Sequence, residues 1–181
     1  KMRVISCIWD YWGLEMKIVI TGGKGMLGRT LQQELRGHDL VVADLPDADI
    51  TDAAGFDSLL GAAKADVVLH CAAMTAVDLC ETEVETAFRL NALGSGNVAA
   101  ACFRNRVRLI ALSTDYVFDG TLQRPYHEFD RANGGNTVYG QSKFAGEEMI
   151  RRHCPDHVIA RISWLYGPGG PSFVHSMLKL A

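Results

Sequence analysis

The sequence lacks several features that would assign it to a specialised class of protein. No apolar run approaches the roughly 18 residues that a membrane span needs. Neither charge is in excess, because 18 basic and 21 acidic residues leave a net charge of −3. This balance argues against a nucleic-acid partner held by bulk charge. The chain of 181 residues, 48% hydrophobic and 22% charged, is therefore expected to form one globular domain with no membrane and no nucleic-acid partner.

The cysteines form neither a disulfide framework nor a metal-binding motif. They are odd in number and scattered, and no C-x-x-C spacing occurs. Carboxylates and histidines also show no ligand spacing, so no metal site is predicted. Free thiols are typical of a reducing compartment, which favours a cytoplasmic location. The five cysteines are Cys7, Cys71, Cys80, Cys102 and Cys154.

Residues 1–15 differ in character from the rest of the chain. Asp10 interrupts their apolar stretch and no small-residue cleavage site follows, so they do not read as a secretory signal. We interpret them as an N-terminal extension, an upstream or cloning remnant. The alternative is an extra strand or an interface segment, since Trp9, Tyr11 and Trp12 are costly to expose. The predicted domain then covers residues 16–181.

From Met16 onward, short apolar β-branched runs alternate with amphipathic stretches. Continuously apolar strands are typical of a parallel sheet that is covered on both faces. The pattern predicts an α/β fold, a three-layer, Rossmann-like, doubly wound parallel sheet. The predicted strands are 17–21, 39–43, 66–71, 108–113 and 157–163. The predicted helices are 26–36, 53–65, 81–104 and 139–153, with a further helix after Phe173.

A glycine-rich turn, T-G-x-x-G-x-x-G at residues 21–28, follows the first predicted strand directly. Gly22 permits the tight turn, Gly25 lets the backbone approach a pyrophosphate, and Gly28 allows close helix–strand packing. The helix that begins there directs its free N–H groups at the phosphates. Because a strand precedes the turn and a helix follows it, we predict dinucleotide binding. The Walker motif of nucleotide triphosphatases does not occur.

An acidic residue at the end of the second strand bears on the choice of cofactor. Asp44 lies 22 residues after Gly22, close to the distance expected of a ribose-binding carboxylate. Its charge bonds the 2′-hydroxyl of NADH and repels the 2′-phosphate of NADPH. Lys24 and Arg29 are near enough in sequence to counter that repulsion. The cofactor is NADH or NADPH, with NADH favoured.

A hydroxyl, a tyrosine and a lysine form a candidate catalytic set. Tyr139 and Lys143 are four residues apart and share one face of a predicted helix. An ammonium near a phenol is expected to lower the phenol pKa, and such a tyrosine can protonate a carbonyl oxygen. Taken alone, the pair is a common chance occurrence. Thr114 follows a buried strand, at the sheet edge where such folds bind ligands, and adds a second hydrogen-bond donor.

These motifs are similar to those of the extended short-chain dehydrogenase/reductases. Within them, five segments resemble the dTDP-4-dehydrorhamnose reductase family, in the family's order over residues 16–181. The resemblance implies reduction of dTDP-4-dehydro-β-L-rhamnose to dTDP-L-rhamnose by hydride transfer from NAD(P)H. The segments are 49–52 (DITD), 71–78 (CAAMTAVD), 113–120 (STDYVFDG), 139–147 (YGQSKFAGE) and 161–167 (RISWLYG).

By position, the resemblance implies three groups of site residues. The catalytic residues, with Tyr139 as the acid and Lys143 also bonding the nicotinamide ribose, are Thr114, Tyr139 and Lys143. The residues implied to bind the cofactor are Gly22, Gly25, Met26, Leu27, Gly28, Asp44, Asp49, Ile50, Ala72, Ala73, Thr75, Tyr139 and Lys143. The residues implied to contact the deoxysugar substrate are Thr114, Asp115, Tyr139 and Trp164.

Two of the departures from the family pattern bear on the site and on the domain boundaries. His70 stands where the family usually has asparagine, and we expect a buried, hydrogen-bonded histidine rather than a metal ligand or base. The family also continues for over a third of its length beyond the position of Ala181. The cofactor half is therefore expected to be present, and the substrate domain to be largely absent by C-terminal truncation.

Other functions remain open at this point. A relative of this fold, the regulatory β subunit of methionine adenosyltransferase, serves as a binding partner, and fold alone cannot separate the two roles. A truncated reductase that binds cofactor without catalysis is a further alternative. The long helical pattern at 81–104 also offers an interface for a homodimer.

Overall fold

Five parallel strands form one sheet in the computed structural model, which describes residues 15–168 and 173–180. Their order is β2-β1-β3-β4-β5, so the chain leaves β1 first to one side and then to the other. The predicted doubly wound α/β fold is confirmed. The predicted N-terminal extension lies outside the described residues except for Glu15. The strands are β1 (Lys17–Thr21), β2 (Asp39–Ala43), β3 (Val67–His70), β4 (Arg108–Thr114) and β5 (His157–Ile162).

Helices connect the strands, and their starts follow local capping chemistry. Asp52 accepts a hydrogen bond from Gly55 N at the start of the second helix, and Thr137 does the same for Gly140 N at the sixth. None of the helices in the described ranges is long and apolar enough to cross a bilayer. They are α1 (Met26–Glu34), α2 (Ala53–Ala63), α3 (Val77–Thr82), α4 (Val84–Phe88), α5 (Ser95–Asn105), α6 (Val138–His153) and α7 (Phe173–Leu180).

The helix predicted at 81–104 is divided in the structure. Glu83 leaves the helical region and separates α3 from α4, and a π-helical turn at Arg89–Gly94 joins α4 to α5. The extra residue in a π turn shifts the helical register, and such turns are frequent at functional sites. The turn buries Asn91 against α6, the helix that carries Tyr139 and Lys143.

The core lies on both faces of the sheet because successive residues of each strand point to opposite sides. Ile18 and Ile20 of β1 pack in one cluster, which includes Leu35 just after α1. Val19 packs in a larger cluster on the other face, where α2, α5 and α6 contribute buried side chains. The α1 and the α2–α5–α6 layers thus enclose the sheet and bring its strand ends to one edge.

The strand order reverses between β1 and β3, and this reversal determines where the site lies. Thr21 at the end of β1 pairs in register with His70 at the end of β3, and no strand lies between them. Ligands of doubly wound folds bind outside the carboxyl ends of the strands at this point of reversal. The next strand, β4, ends at Thr114 on the same edge. The glycine turn and the catalytic candidates therefore meet at one place.

Candidate functional site

Two adjoining clefts open at the carboxyl edge of the sheet. The first has a volume of about 460 Å³ and the second about 360 Å³. They share Gly22, Gly25, Cys71 and Ala73 in their walls. Every residue predicted from the sequence to bind the cofactor, to contact the substrate or to act in catalysis lines one cleft or both. The first cleft adds Met26, Leu27, Gly28, Thr75, Thr114, Asp115, Tyr139, Lys143 and Trp164, and the second adds Asp44, Asp49, Ile50 and Ala72.

The glycine turn is packed so closely that side chains have no room. Gly22 has φ +67°, and a Cβ there would lie 2.7 Å from Ala72 N. A Cβ on Gly28 would lie 2.4 Å from the carbonyl oxygen of Gly22. Within the described ranges, no side chain caps the N-terminus of α1, which begins at Met26 in the wall of the first cleft. The free first-turn N–H groups and the cradle around them fit a pyrophosphate.

Ordered carboxylates line the second cleft. One oxygen of Asp44 accepts from Lys24 N at 2.7 Å and the other from Leu45 N at 2.8 Å. Asp49 accepts from both the N–H and the hydroxyl of Thr51, which lowers the pKa of Asp49. The ammonium of Lys24 donates to the carbonyl of Leu45. This end of the groove therefore offers carboxylate acceptors for a ribose, with the cations of Lys24 and Arg89 nearby. The NADH preference stays a prediction.

The catalytic candidates converge on the first cleft. Lys143 is 7% exposed and donates from Nζ to the carbonyl oxygen of Leu112 at 2.8 Å. Burial lowers the pKa of Lys143 to about 8, against the opposing charge of Glu147. Burial raises the pKa of Tyr139, and its hydrogen bond with Thr114 acts in the opposite direction.

The direction of the Tyr139 shift corrects the sequence-based expectation. The spacing predicted that the Lys143 ammonium would lower the pKa of the Tyr139 phenol. In the structure, burial of the phenol dominates and raises that pKa. The Tyr116 ring covers one side of it, 5.5 Å away between centroids. The lysine directs its hydrogen bond to the backbone of β4 instead.

A buried carboxylate anchors α6, the candidate catalytic helix, and the sequence analysis missed it. Glu147 is 1% exposed and accepts from Ser113 at 2.6 Å, from Arg161 at 2.6 and 2.9 Å, and from Arg151 at 2.9 Å. Burial by itself would raise the pKa of Glu147, but these hydrogen bonds and charges lower it. The signal was present in the sequence, because Tyr139, Lys143 and Glu147 repeat at four-residue spacing on one helix face.

The first cleft is also lined by the hydrogen-bonded carboxylate of Asp115 and the exposed indole of Trp164. Asp115 accepts from Ser163 Oγ at 2.8 Å and from Thr114 Oγ1 at 3.2 Å. Trp164 follows Ser163 directly, is 69% exposed and has a left-handed backbone with φ +52°. One hydrogen bond therefore ties Asp115 to the segment that presents Trp164.

A second missed carboxylate orders the loop that leads to α6. Asp119 accepts from Thr121, from Tyr126 Oη at 3.0 Å and from Asn133 Nδ2 at 2.7 Å. These hydrogen bonds lower the pKa of Asp119 to about 2. No sequence motif joins Asp119 to its partners, because they are brought together by the path of the loop.

His70 is buried below the clefts, as the sequence analysis predicted. Its Nδ1 lies 2.7 Å from Thr21 Oγ1 and its Nε2 lies 3.0 Å from Ser95 Oγ. The prediction of a buried, hydrogen-bonded histidine is confirmed. Across the ranges 15–168 and 173–180, no group of three His, Cys, Asp or Glu side chains is placed to hold a metal.

A family model and the curated relatives of the chain indicate the same family. Residues 16–181 match the family described as the RmlD substrate binding domain. A dTDP-4-dehydrorhamnose reductase from Streptomyces griseus is 44% identical over 90% of this chain and 54% of its own length. The chain spans between about half and three fifths of the length of the relatives that it matches.

Solved structures agree with the sequence comparison. A dTDP-4-dehydrorhamnose reductase from Clostridium acetobutylicum superposes with a TM-score of 0.87 and 41% identity, over 91% of this chain and 59% of that one. The enzyme of the same name from Bacillus anthracis, in complex with NADP, gives a TM-score of 0.88 at 37% identity, over 92% and 60%. The chain therefore belongs to the dTDP-4-dehydrorhamnose reductase family.

Proposed function

We propose that residues 16–181 form an NAD(P)H-binding domain and that the protein reduces dTDP-4-dehydro-β-L-rhamnose to dTDP-L-rhamnose. The observation that carries this proposal is the convergence of Thr114, Tyr139 and Lys143 on the cleft that holds the glycine turn. The names of the relatives support the substrate, and the NADP complex of one neighbour supports the cofactor.

The two clefts accommodate the two halves of a dinucleotide. The second cleft takes the adenosine, with Asp44 on the ribose and Asp49 and Ile50 at the adenine. The first turn of α1 takes the pyrophosphate on its N–H groups. Thr75 and Lys143, which line the first cleft, would hold the nicotinamide end. A reduced nicotinamide supplies the hydride that adds to the carbonyl carbon of the substrate.

Tyr139 provides the proton that completes the reduction. Its raised pKa keeps the phenol protonated at neutral pH, ready to donate to the carbonyl oxygen. As the carbonyl carbon gains a hydride, that oxygen takes the Tyr139 proton and leaves a phenolate. Lys143, with a pKa of about 8, is mostly charged at neutral pH and stabilises the phenolate by its charge. Thr114 turns its O–H from Asp115 to the carbonyl oxygen of the substrate.

Asp115 and Trp164 act on the sugar. The Asp115 carboxylate, oriented by Ser163, accepts hydrogen bonds from sugar hydroxyls. The exposed indole of Trp164 offers a flat apolar face to the deoxysugar ring.

We further propose a cytoplasmic homodimer. The free cysteines support the location. The exposed Leu93, in the π-helical turn, and Phe103, in α5, support the dimer. Sedimentation of the chain tests the dimer.

The decisive experiment compares two tyrosine variants. NADH and NADPH oxidation is measured with dTDP-4-dehydro-β-L-rhamnose, and cofactor affinity is measured by nicotinamide fluorescence. We expect Tyr139→Phe to lower turnover by about 10²- to 10⁴-fold, the usual contribution of a general acid, without loss of cofactor affinity. Tyr116→Phe, in the same cleft, is the matched control and keeps both.

Each alternative has its own outcome. Equal loss of turnover and cofactor affinity in Tyr139→Phe contradicts the assigned acid. Cofactor binding without turnover in the unaltered chain identifies an inactive reductase. The regulatory alternative, which the reductase names of the relatives do not favour, requires co-purification with a methionine adenosyltransferase catalytic subunit.

A further inference from the structure

His70 occupies the centre of a buried hydrogen-bond network beneath the two clefts. Its ring is 1% exposed, and both ring nitrogens have hydroxyl partners, Thr21 on β1 and Ser95 at the start of α5. Neither hydroxyl was singled out by the sequence. The network therefore joins three elements that are far apart in the chain and adjacent in the fold.

The partners of the two hydroxyls fix the direction of the network. Ser95 donates to the carbonyl oxygen of Asn91 at 2.7 Å, so its oxygen accepts from His70 Nε2–H. The Thr21 oxygen accepts from Ala72 N at 3.2 Å, and its buried O–H donates to the lone pair on Nδ1. A neutral imidazole with its proton on Nε2 satisfies every one of these contacts.

Both ends of the network hold the same segment, residues 72–75, which we call the cofactor wall. One end is the bond from Ala72 N to Thr21. At the other end, the Asn91 side chain accepts from Met74 N at 2.8 Å and donates to Met74 O at 3.0 Å. Ala72, Ala73 and Thr75 line the clefts, so the wall is fixed on both sides of the point where the clefts meet.

The network also reaches the catalytic helix. Asn91 Nδ2 donates to Ser142 Oγ at 3.0 Å, and Ser142 donates to the carbonyl oxygen of Tyr139 at 2.9 Å. The charge that acts on His70 is that of Lys143, on the same helix. Burial, together with this charge, lowers the pKa of His70 to about 3, which agrees with the neutral ring that the geometry requires.

We propose that His70 is a positioning residue that uses both ring nitrogens to hold the cofactor wall against the glycine turn and the catalytic helix. The inference rests on the proposed function in one respect, that the wall is a surface for NAD(P)H. An asparagine at this position is too short to bridge Thr21 and Ser95 together. The single histidine side chain thus links β3, which carries it, to β1 and to α5.

Three substitutions of His70 distinguish its contact with Thr21 from its contact with Ser95. His70→Gln places its amide near the Nε2 position and keeps the Ser95 contact, and His70→Asn reaches the Nδ1 position and keeps the Thr21 contact. His70→Leu removes both. We expect His70→Leu to weaken NADH binding about tenfold, as the loss of one or two buried hydrogen bonds implies, with smaller losses for Gln and Asn. His157→Leu, which removes a histidine contact to Cys154 O at 2.6 Å, is the control and leaves NADH affinity unchanged.

Amide hydrogen exchange gives a readout that general destabilisation does not reproduce. In the Asn variant, the Met74 amide is expected to exchange faster while the Ala72 amide stays protected. The Gln variant is expected to show the reverse. Equal NADH affinity and equal protection of both amides in all three variants would overturn the proposal.

The unaltered chain supplies a test that does not depend on any variant folding. Nitrogen-15 NMR of the imidazole at neutral pH is expected to show a neutral His70 with its proton on Nε2. A ring protonated on Nδ1, or a charged ring, contradicts the proposal. If the chain binds neither NADH nor NADPH, the proposed function fails, while the tautomer and the exchange of the wall amides still decide the role of His70.

Discussion

At the scale of single residues, Asp44 is the residue that we expect to govern the choice between the two nicotinamide cofactors. Its carboxylate accepts hydrogen bonds from the N–H groups of Lys24 and Leu45, which fix its position in the wall of the second cleft. We expect Asp44→Asn to shift the ratio of affinities toward NADPH by about tenfold, because the amide no longer repels the 2′-phosphate. Fluorescence titration with both cofactors measures the ratio.

The neighbouring Asp47 provides the matched control for this prediction. It is exposed on the same loop but does not line the cleft. Asp47→Asn is expected to leave the ratio unchanged, since a solvated charge outside the cleft is largely screened. A similar shift in both variants would mean that the net charge of the loop, and not the position of Asp44, sets the preference.

Individual site residues could be predicted where a motif places them next to one another in sequence. The glycine turn, Asp44 and the Tyr139–Lys143 pair are of this kind, and the structure places all of them in the clefts. Their environment could not be predicted, because it comes from elements distant in sequence. The raised pKa of Tyr139 depends on burial, and burial is a property of the folded chain.

At the scale of elements, the contact between α6 and the π-helical turn sets the position of the catalytic helix. A Cβ on Gly146 would lie 2.2 Å from the carbonyl oxygen of Asn91. We expect Gly146→Ala to destabilise the fold by about 1–3 kcal/mol, because the added methyl group meets backbone that cannot move without the turn. Urea unfolding measures the loss.

A second helical glycine controls for the intrinsic preference of alanine for helices. Gly61 lies in α2, and a Cβ there would lie 3.3 Å from the end of the Asn105 side chain. Gly61→Ala is expected to leave stability unchanged or to raise it by up to about 1 kcal/mol. Equal effects at the two glycines would show that α6 and the turn are not packed as tightly as the contact indicates.

The elements themselves could be predicted to within a few residues, with one instructive exception. Strand 17–21 and helix 53–65 follow apolar periodicity, and the structure confirms them as β1 and α2. The prediction of one helix at 81–104 was wrong because Glu83 leaves the helical region. Side-chain periodicity also barely registers the single extra residue of the π turn. That turn places Asn91 under the cofactor wall, so the irregularity belongs to the site.

At the scale of the whole molecule, the buried polar groups tie the site to the core. Glu147 joins α6 to β4 and β5 through Ser113 and Arg161, and His70 joins β3 to β1 and α5. Folding lowers the pKa of both groups below the value that each has in water. The geometry of the clefts is therefore coupled to the pH dependence of folding.

The pH ranges in which the two groups act overlap only below pH 4.5. The pKa of Glu147 is lowered from 4.5, so its stabilising contribution is lost as pH falls below that value. The pKa of His70 falls from 6.5 in the unfolded chain to about 3 in the folded protein. Between pH 6.5 and 4.5, the unfolded chain therefore gains a proton at this position that the folded protein does not take up.

His70 should consequently make the protein less stable as pH falls through that window. One such proton changes the free energy of unfolding by up to about 1.4 kcal/mol per pH unit. In His70→Gln the side chain has no proton to gain, so we expect a flatter dependence from pH 6.5 down to about 3. The difference is read between pH 6.5 and 4.5, where Glu147 does not contribute. Urea unfolding at a series of pH values measures both slopes. An equally steep fall in the variant would show that His70 ionises in the folded state, and the neutral bridge beneath the clefts would not exist.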